Sequence, residues 1–164
     1  MLSKERIEEI KNAIESDERF QNRVNESKSF QGKEKGHSGA SQMEDIITEI
    51  LIDKCGGTSP KKARELGDTY VDGNIFNTKF GYTETGAKGK PKYGQPNMCS
   101  MNRIINGFTL EEEMDSYYII KVKLNENGYS IHIFDMLNII EMLTWNSGTG
   151  QIMLKESEFY KNID

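Results

Sequence analysis

Histidine and cysteine are scarce in this sequence: it has two of each. With only His37 and His132, a three-histidine metal centre and an HNH-type nuclease site are excluded. Cys55 and Cys99 are too few for a disulfide framework, and without a Cys-x-x-Cys pair they do not make a zinc site. A Gly-x-Ser-x-Gly elbow is missing, which argues against serine hydrolase chemistry. Neither a Walker motif nor a dinucleotide-binding glycine motif is present. Long apolar runs are also lacking: none approaches the roughly 18 residues that a membrane-spanning helix needs. Lys4, Glu5 and Arg6 interrupt any apolar leader. The expectation is a cytoplasmic chain that makes no membrane contact and keeps both thiols reduced.

At 164 residues the chain has the length of one domain. Its apolar fraction, 35%, is low beside 29% charged residues, so a thin core under a polar surface is expected. The formal net charge of −5 argues against a nucleic-acid partner if it is spread evenly. It is not spread evenly. Acids gather in the first 26 residues, at Glu111 to Asp115 and in the tail, while Lys79, Lys88, Lys90, Lys92 and Arg103 share one central, locally basic stretch.

Residues 3 to 26 carry Ile7, Ile10, Ala13 and Ile14 at helical spacing, which predicts one or two amphipathic helices. Glu26 to Gly39 has only Phe30 to bury and reads as a loop holding His37, with Ser38 or Ser41 capping the next helix. From about Ala40 to Lys54, Met43, Ile46, Ile47, Ile50 and Leu51 form one apolar face, predicting a core helix. Glu44 sits at the edge of that face, whereas Asp45 and Glu49 point away from it.

Two strand-like runs surround Asp72-Gly73, a hairpin signal. A Gly- and Lys-rich loop is expected from Thr83 to Gly94, then a short helix from Asn97 to Asn106. Tyr117 to Leu124 and Tyr129 to Phe134 read as a second hairpin, with His132 on its outer face and Tyr117, Tyr118 and Phe134 at core spacing. Asp135 starts a helix to about Leu143, Trp145 comes next at core spacing, and Gln151 to Lys155 reads as a last strand. The order of elements predicts a mixed α/β fold.

The chemistry centres on the first hairpin. With Asp72-Gly73 in a type I′ turn, Val71 pairs with Asn74, Tyr70 with Ile75, Thr69 with Phe76 and Asp68 with Asn77. Strand alternation then puts Lys79 on the face shared by Asp68 and Asn77. A carboxylate, an amide oxygen and an ammonium together suit phosphodiester hydrolysis. The oxygens, with the Thr78 carbonyl, are of the hard type that Mg²⁺ selects, and the lysine orients or deprotonates the attacking water. Spacing alone also fits ordinary residues on a solvated hairpin face.

The segment Gly67-Asp68, Asp72-Gly73 and Asn77-Thr78-Lys79-Phe80-Gly81, followed by Gly94-Gln95-Pro96-Asn97-Met98-Cys99-Ser100, resembles type II restriction endonucleases of the PD-(D/E)xK superfamily. The resemblance extends to Tyr117–Leu124 and Gly148–Leu154, covering roughly residues 38 to 155. It implies a restriction-endonuclease-like core, a central mixed β-sheet flanked by helices, in a single nuclease domain over 1–164, with 1–37 a helical N-terminal extension and loop and 38–155 the catalytic core. Asp68 matches the first metal-binding acid, Asn77 the place of the second, Lys79 the catalytic lysine, and Glu44 the glutamate on the preceding helix. Asp68, Asn77, Thr78 and Glu44 are thus the expected metal ligands.

Lys88, Lys90, Lys92, Gln95, Asn97 and Arg103 are the expected DNA contacts. The chain departs from the pattern in having Asn77 for an acid and Gly67 where the motif begins with proline. The implied activity is Mg²⁺-dependent cleavage of double-stranded DNA at a short specific site, leaving 5′-phosphates. A homodimer and a companion methyltransferase are the implied partners. The rival readings are a structure-specific repair nuclease and a non-catalytic DNA-binding protein with a degenerate site.

Overall fold

The computed structural model describes residues 1–29, 37–60, 67–82, 84–85, 91–92, 116–125, 128–135, 138, 143–147 and 151–154. Three helices come first. Helix α1 (Lys4–Glu15) is capped by Ser3, whose side chain accepts the Arg6 amide, and α2 (Glu18–Ser27) by Asp17, which accepts the Arg19 amide. Helix α3 spans His37–Cys55. The chain leaves it through Gly56 at φ 70°, a conformation that favours glycine, and the Gly57 amide closes on the Leu51 carbonyl at 2.9 Å.

Four strands form the main sheet: β1 (Thr69–Val71), β2 (Asn74–Tyr82), β5 (Tyr117–Asn125) and β6 (Gly128–Asp135), in the order β1-β2-β5-β6. Strands β2 and β5 run parallel and the other two pairs antiparallel, so the sheet is mixed. Between β2 and β5 lies a short antiparallel ribbon of β3 (Glu84–Thr85) and β4 (Pro91–Lys92), and β7 (Leu143–Asn146) pairs with β8 (Gln151–Leu154). The fold is α/β, with a four-stranded mixed sheet flanked by helices.

One face of the sheet meets the helices. Phe76, Tyr118, Ile120, Val122 and Leu124 join Ile10 and Ile14 of α1, Phe20 and Val24 of α2, and Met43, Ile47, Ile50 and Leu51 of α3 in one buried cluster. Phe76 stacks on its register partner Tyr118 at 5.3 Å, and Phe20 meets Tyr129 edge-on at 5.0 Å. The helices of residues 1–37 therefore share the core of the sheet. Asp17 is buried at the α1–α2 junction, bound by Arg19 through both carboxylate oxygens and by Lys54 of α3 at 3.0 Å. These cations hold its carboxyl well below the usual range. Arg6 bridges α1 to the hairpin tip, reaching Asp72 at 2.7 Å and the Cys55 carbonyl at 3.1 Å.

Three local expectations are corrected. Packing of Val24 and Ser27 extends α2 past Glu26, and α3 begins at His37, so Ser38 and Ser41 lie inside a helix that they were expected to cap. The expected loop from Thr83 to Gly94 contains the β3–β4 ribbon, because Glu84 and Thr85 find strand partners in Lys92 and Pro91. Leu143 opens β7, where pairing with Leu154 takes it out of the expected helix. The start of that helix matches the reading: Asn138 is helical and its amide binds the Asp135 carboxylate at 2.9 Å. The expected helix over 97–106 lies outside the described residues. Among the described residues no helix is long and apolar enough to cross a membrane.

Candidate active site

Asp72 at φ 50° and Gly73 at φ 76° give the turn its two positive φ angles, and the register is Val71–Asn74, Tyr70–Ile75 and Thr69–Phe76. The ladder ends there. Asp68 does not continue it as a partner of Asn77: its amide donates to the Phe76 carbonyl at 2.8 Å, and its Oδ2 accepts the Thr78 amide at 2.8 Å. The carboxylate takes the place that a backbone carbonyl of β1 would have had. Gly67 makes this approach possible. A Cβ there would collide with Ile75 Cγ2 and lie 2.8 Å from the Phe76 carbonyl oxygen, so the residue before Asp68 has to be glycine in this geometry.

Thr78 directs its N–H towards Asp68, and in an extended strand the carbonyl of the same residue points to the same neighbour. Its side chain faces the helices and is buried. Asn77 and Lys79 alternate with Phe76 and Thr78, so they face the other side of the sheet. Asn77 is 5% exposed, and its Oδ1 is a buried acceptor with no hydrogen-bond partner among the described residues. Buried polar atoms are nearly always satisfied, so this amide oxygen, like the buried Thr69 Oγ1, is a candidate to bind a further group. Lys79 is half-buried.

Two residues that the sequence reading left as strand filling belong to the same face. Tyr117, the register partner of Ile75, is fully buried, and its phenol is pushed up by burial and by the negative charge of Asp68. It therefore stays protonated and lies within electrostatic reach of the carboxylate. Lys121 is the register partner of Lys79 and is 2% exposed. The sign that pointed to them is the alternation Tyr117, Ile119, Lys121, Lys123, opposite the apolar Tyr118, Ile120, Val122 and Leu124; the parallel register with β2 was not readable from it.

Glu44 is half-buried while Asp45 and Glu49 are exposed, as the helical spacing predicts. It rides on α3, in the layer against the Phe76 face, whereas Asn77 and Lys79 face the opposite side. Lys92 belongs to β4; Lys88, Lys90, Gln95, Asn97 and Arg103 lie outside the described residues. His132 is on β6 across from Lys121, on the site face, and its ring packs 5.9 Å from that of Phe134. Among the described residues no three histidine, cysteine, aspartate or glutamate side chains come together as a metal site. The available oxygen set is one carboxylate, one amide and one backbone carbonyl, all hard donors.

Comparison with known proteins finds no matching family model, no matching curated protein and no matching solved structure. The reading of the site stands on its geometry.

Proposed function

We propose that this chain is a Mg²⁺-dependent endodeoxyribonuclease of the type II restriction class, with a restriction-endonuclease-like core built around the β1–β2 hairpin. The observation that carries the proposal is the buried Asn77 Oδ1, without a hydrogen-bond partner among the described residues, on the strand whose Thr78 amide binds an Asp68 carboxylate that has left the strand ladder, with Lys79 on the face of Asn77. Asp68, Asn77 Oδ1 and the Thr78 carbonyl would hold the cation; Glu44, expected as a further ligand, lies in the helix layer on the other side of the sheet from Asn77. Magnesium keeps several of its own waters, so two or three protein oxygens suffice. When bound, it supplies positive charge that stabilises the charge developing on the phosphate.

The remaining roles fall to the protein. The Thr78 amide fixes one oxygen of Asp68 and so sets the direction of the other. Buried Tyr117 remains neutral and does not compete with Asp68 for the cation. Lys79 orients the water that attacks phosphorus or, as the neutral amine, takes its proton; the water oxygen bonds to phosphorus as the bond to the 3′-oxygen breaks, leaving a 5′-phosphate and a 3′-hydroxyl that takes its proton from solvent. The substrate is double-stranded DNA, cut at a short site by a homodimer whose companion methyltransferase protects the host; the basic stretch around Lys88, Lys90, Lys92, Gln95, Asn97 and Arg103 is proposed to track the DNA.

The test is incubation of plasmid DNA with the purified protein in Mg²⁺ and in EDTA, beside Asp68→Ala. Discrete bands that require Mg²⁺, lost by about 10²-fold or more in rate in the variant, are expected. Normal cutting by Asp68→Ala rejects the site. A smear of products favours a structure-directed nuclease, and intact DNA favours a non-catalytic DNA-binding protein.

A further inference from the structure

The start of the chain, expected as an extension outside the catalytic core, is bonded to both elements that carry the site. Arg6 of α1 divides its guanidinium among three acceptors: the Asp72 carboxylate at the hairpin tip at 2.7 Å, the Cys55 carbonyl at the end of α3 at 3.1 Å, and Glu9 of its own helix at 3.0 Å. Just before α1, the Leu2 amide donates to the hydroxyl of buried Tyr118 on β5 at 2.7 Å. The β1–β2 hairpin and β5 are thus tied to one short stretch of chain. Strand β1 needs such ties. It has three residues, and beyond its pairing with β2 the described residues give it only the bridge from Tyr70 to Thr58, with bonds of 2.8 and 2.9 Å. A two-stranded hairpin is marginal by itself. Asp72 at the tip and Asp68 at the open end lie on one strand, about 13 Å apart if fully extended. A tilt of the tip therefore moves the Asp68 carboxylate against the Thr78 amide, and a hydrogen bond weakens steeply as its angle and distance change. An exposed ion pair contributes little to stability, but Arg6 is half-buried and its planar fork is fixed by three acceptors at once.

We propose that Arg6 is a positioning residue of the site: through Asp72 it sets the tilt of the β1–β2 hairpin and so holds Asp68 on the Thr78 amide. Its part in cleavage rests on the nuclease reading, whereas its hold on Asp68 does not. Arg6 touches no substrate and no reacting atom. It acts along the strand, and Leu2 gives the same stretch of chain a fixed point on β5 next to Tyr117. Without the Arg6–Asp72 bond the three register pairs of the hairpin remain, but its open end is free to swing.

The test reads the Asp68–Thr78 bond directly, as the hydrogen-exchange rate of the Thr78 amide in the full chain without metal. The variants are Arg6→Gln, Asp72→Asn and the two combined, with Lys4→Gln, exposed on α1, as the control. Asparagine tolerates the positive φ of Asp72, and position 72 is exposed, so Asp72→Asn serves even where Arg6→Gln fails to fold. Each single variant is expected to speed Thr78 exchange several-fold while the amide of Ile47, in the core of α3, keeps its rate, because the opening is local. The double variant is expected to exchange no faster than either single one, since both remove one bond. Arg6→Lys, which keeps the charge and loses the fork, is expected to fall between Arg6→Gln and the unmodified protein, and Lys4→Gln to match the latter. In the plasmid assay the same variants are expected to lower kcat several-fold and to leave duplex affinity in Ca²⁺ unchanged. Unchanged Thr78 exchange in folded Asp72→Asn, or an equal rise at Ile47, overturns the proposal. Faster Thr78 exchange in a protein that cuts no DNA rejects the nuclease reading and leaves the role of Arg6 standing, while Mg²⁺-dependent cutting with unchanged exchange rejects the role of Arg6 alone.

Discussion

In the proposed nuclease site, Asn77 is the residue on which the chemistry turns. As a neutral amide it brings less negative charge to the site than the acid that the resembling family carries there, which leaves Asp68 as the charged ligand of the hairpin. Asn77→Asp is therefore expected to preserve cleavage and to raise it at low Mg²⁺, since an added carboxylate strengthens cation binding. Titrating activity against Mg²⁺ checks this, and loss of cleavage at every concentration would remove Asn77 from the ligand set. Lys79→Met is expected to lower kcat by about 10²- to 10⁴-fold, the range for a positioned proton-transfer group, while DNA affinity in Ca²⁺ falls only a few-fold. Equal losses in affinity and rate would make Lys79 a binding residue. At this scale the turn and the resemblance single out Asp68, Asn77 and Lys79 as candidates, but the pairing of Asp68 with Asn77 that the turn implies does not form. Lys121 and Tyr117 are not singled out, because an apolar strand gives no hint of which of its faces lies beside another strand's lysine.

Among the elements, the β1–β2 hairpin holds the site through one close approach. Gly67→Ala places a methyl group against Ile75 and the Phe76 carbonyl, so it is expected to cost about 1–3 kcal/mol of stability and to abolish cleavage by lifting Asp68 off the Thr78 amide. Thermal melting together with the plasmid assay separates the two effects, and a fully active Ala variant would show that the approach is dispensable.

The helix layer has its own key in Asp17, which caps α2 and meets Arg19 and Lys54. Asp17→Ala is expected to lose about 1–2 kcal/mol near neutral pH. The folded-state pKa of Asp17 is depressed, so its contribution is complete above the unfolded value of about 4 and disappears as pH falls through the lower folded value. Melting curves of the two proteins should therefore converge in acid; a constant gap would mean that the carboxylate charge is irrelevant. Turn chemistry and apolar spacing identified the hairpin and α3, because both signals are local. The start of α3 and the β3–β4 ribbon were missed, because partners distant in sequence decide them.

For the whole molecule, a formal charge of −5 has to be reconciled with the proposed DNA substrate. The reconciliation lies in segregation: acids such as Asp17, Glu49 and Asp53 belong to the helix layer, while Lys79 lies on the opposite face of the sheet. A dimer presenting two such faces would cut both strands. Sedimentation is expected to give about twice the 18.7 kDa of one chain, and linear plasmid should appear without much nicked intermediate. A monomer that only nicks would reject the dimer.

The sequence by itself determined the apolar periodicity of α1 and α3, the type I′ turn at Asp72-Gly73, and the residue types able to bind a cation and activate water, since these depend on neighbours a few positions away. Only the tertiary structure decided that β2 and β5 run parallel with Lys79 beside Lys121, that Asp68 leaves its ladder to hold the Thr78 amide, and that Asn77 Oδ1 is buried without a partner among the described residues. Register between strands separated by a long connection is set by packing of whole faces, and no local pattern encodes it.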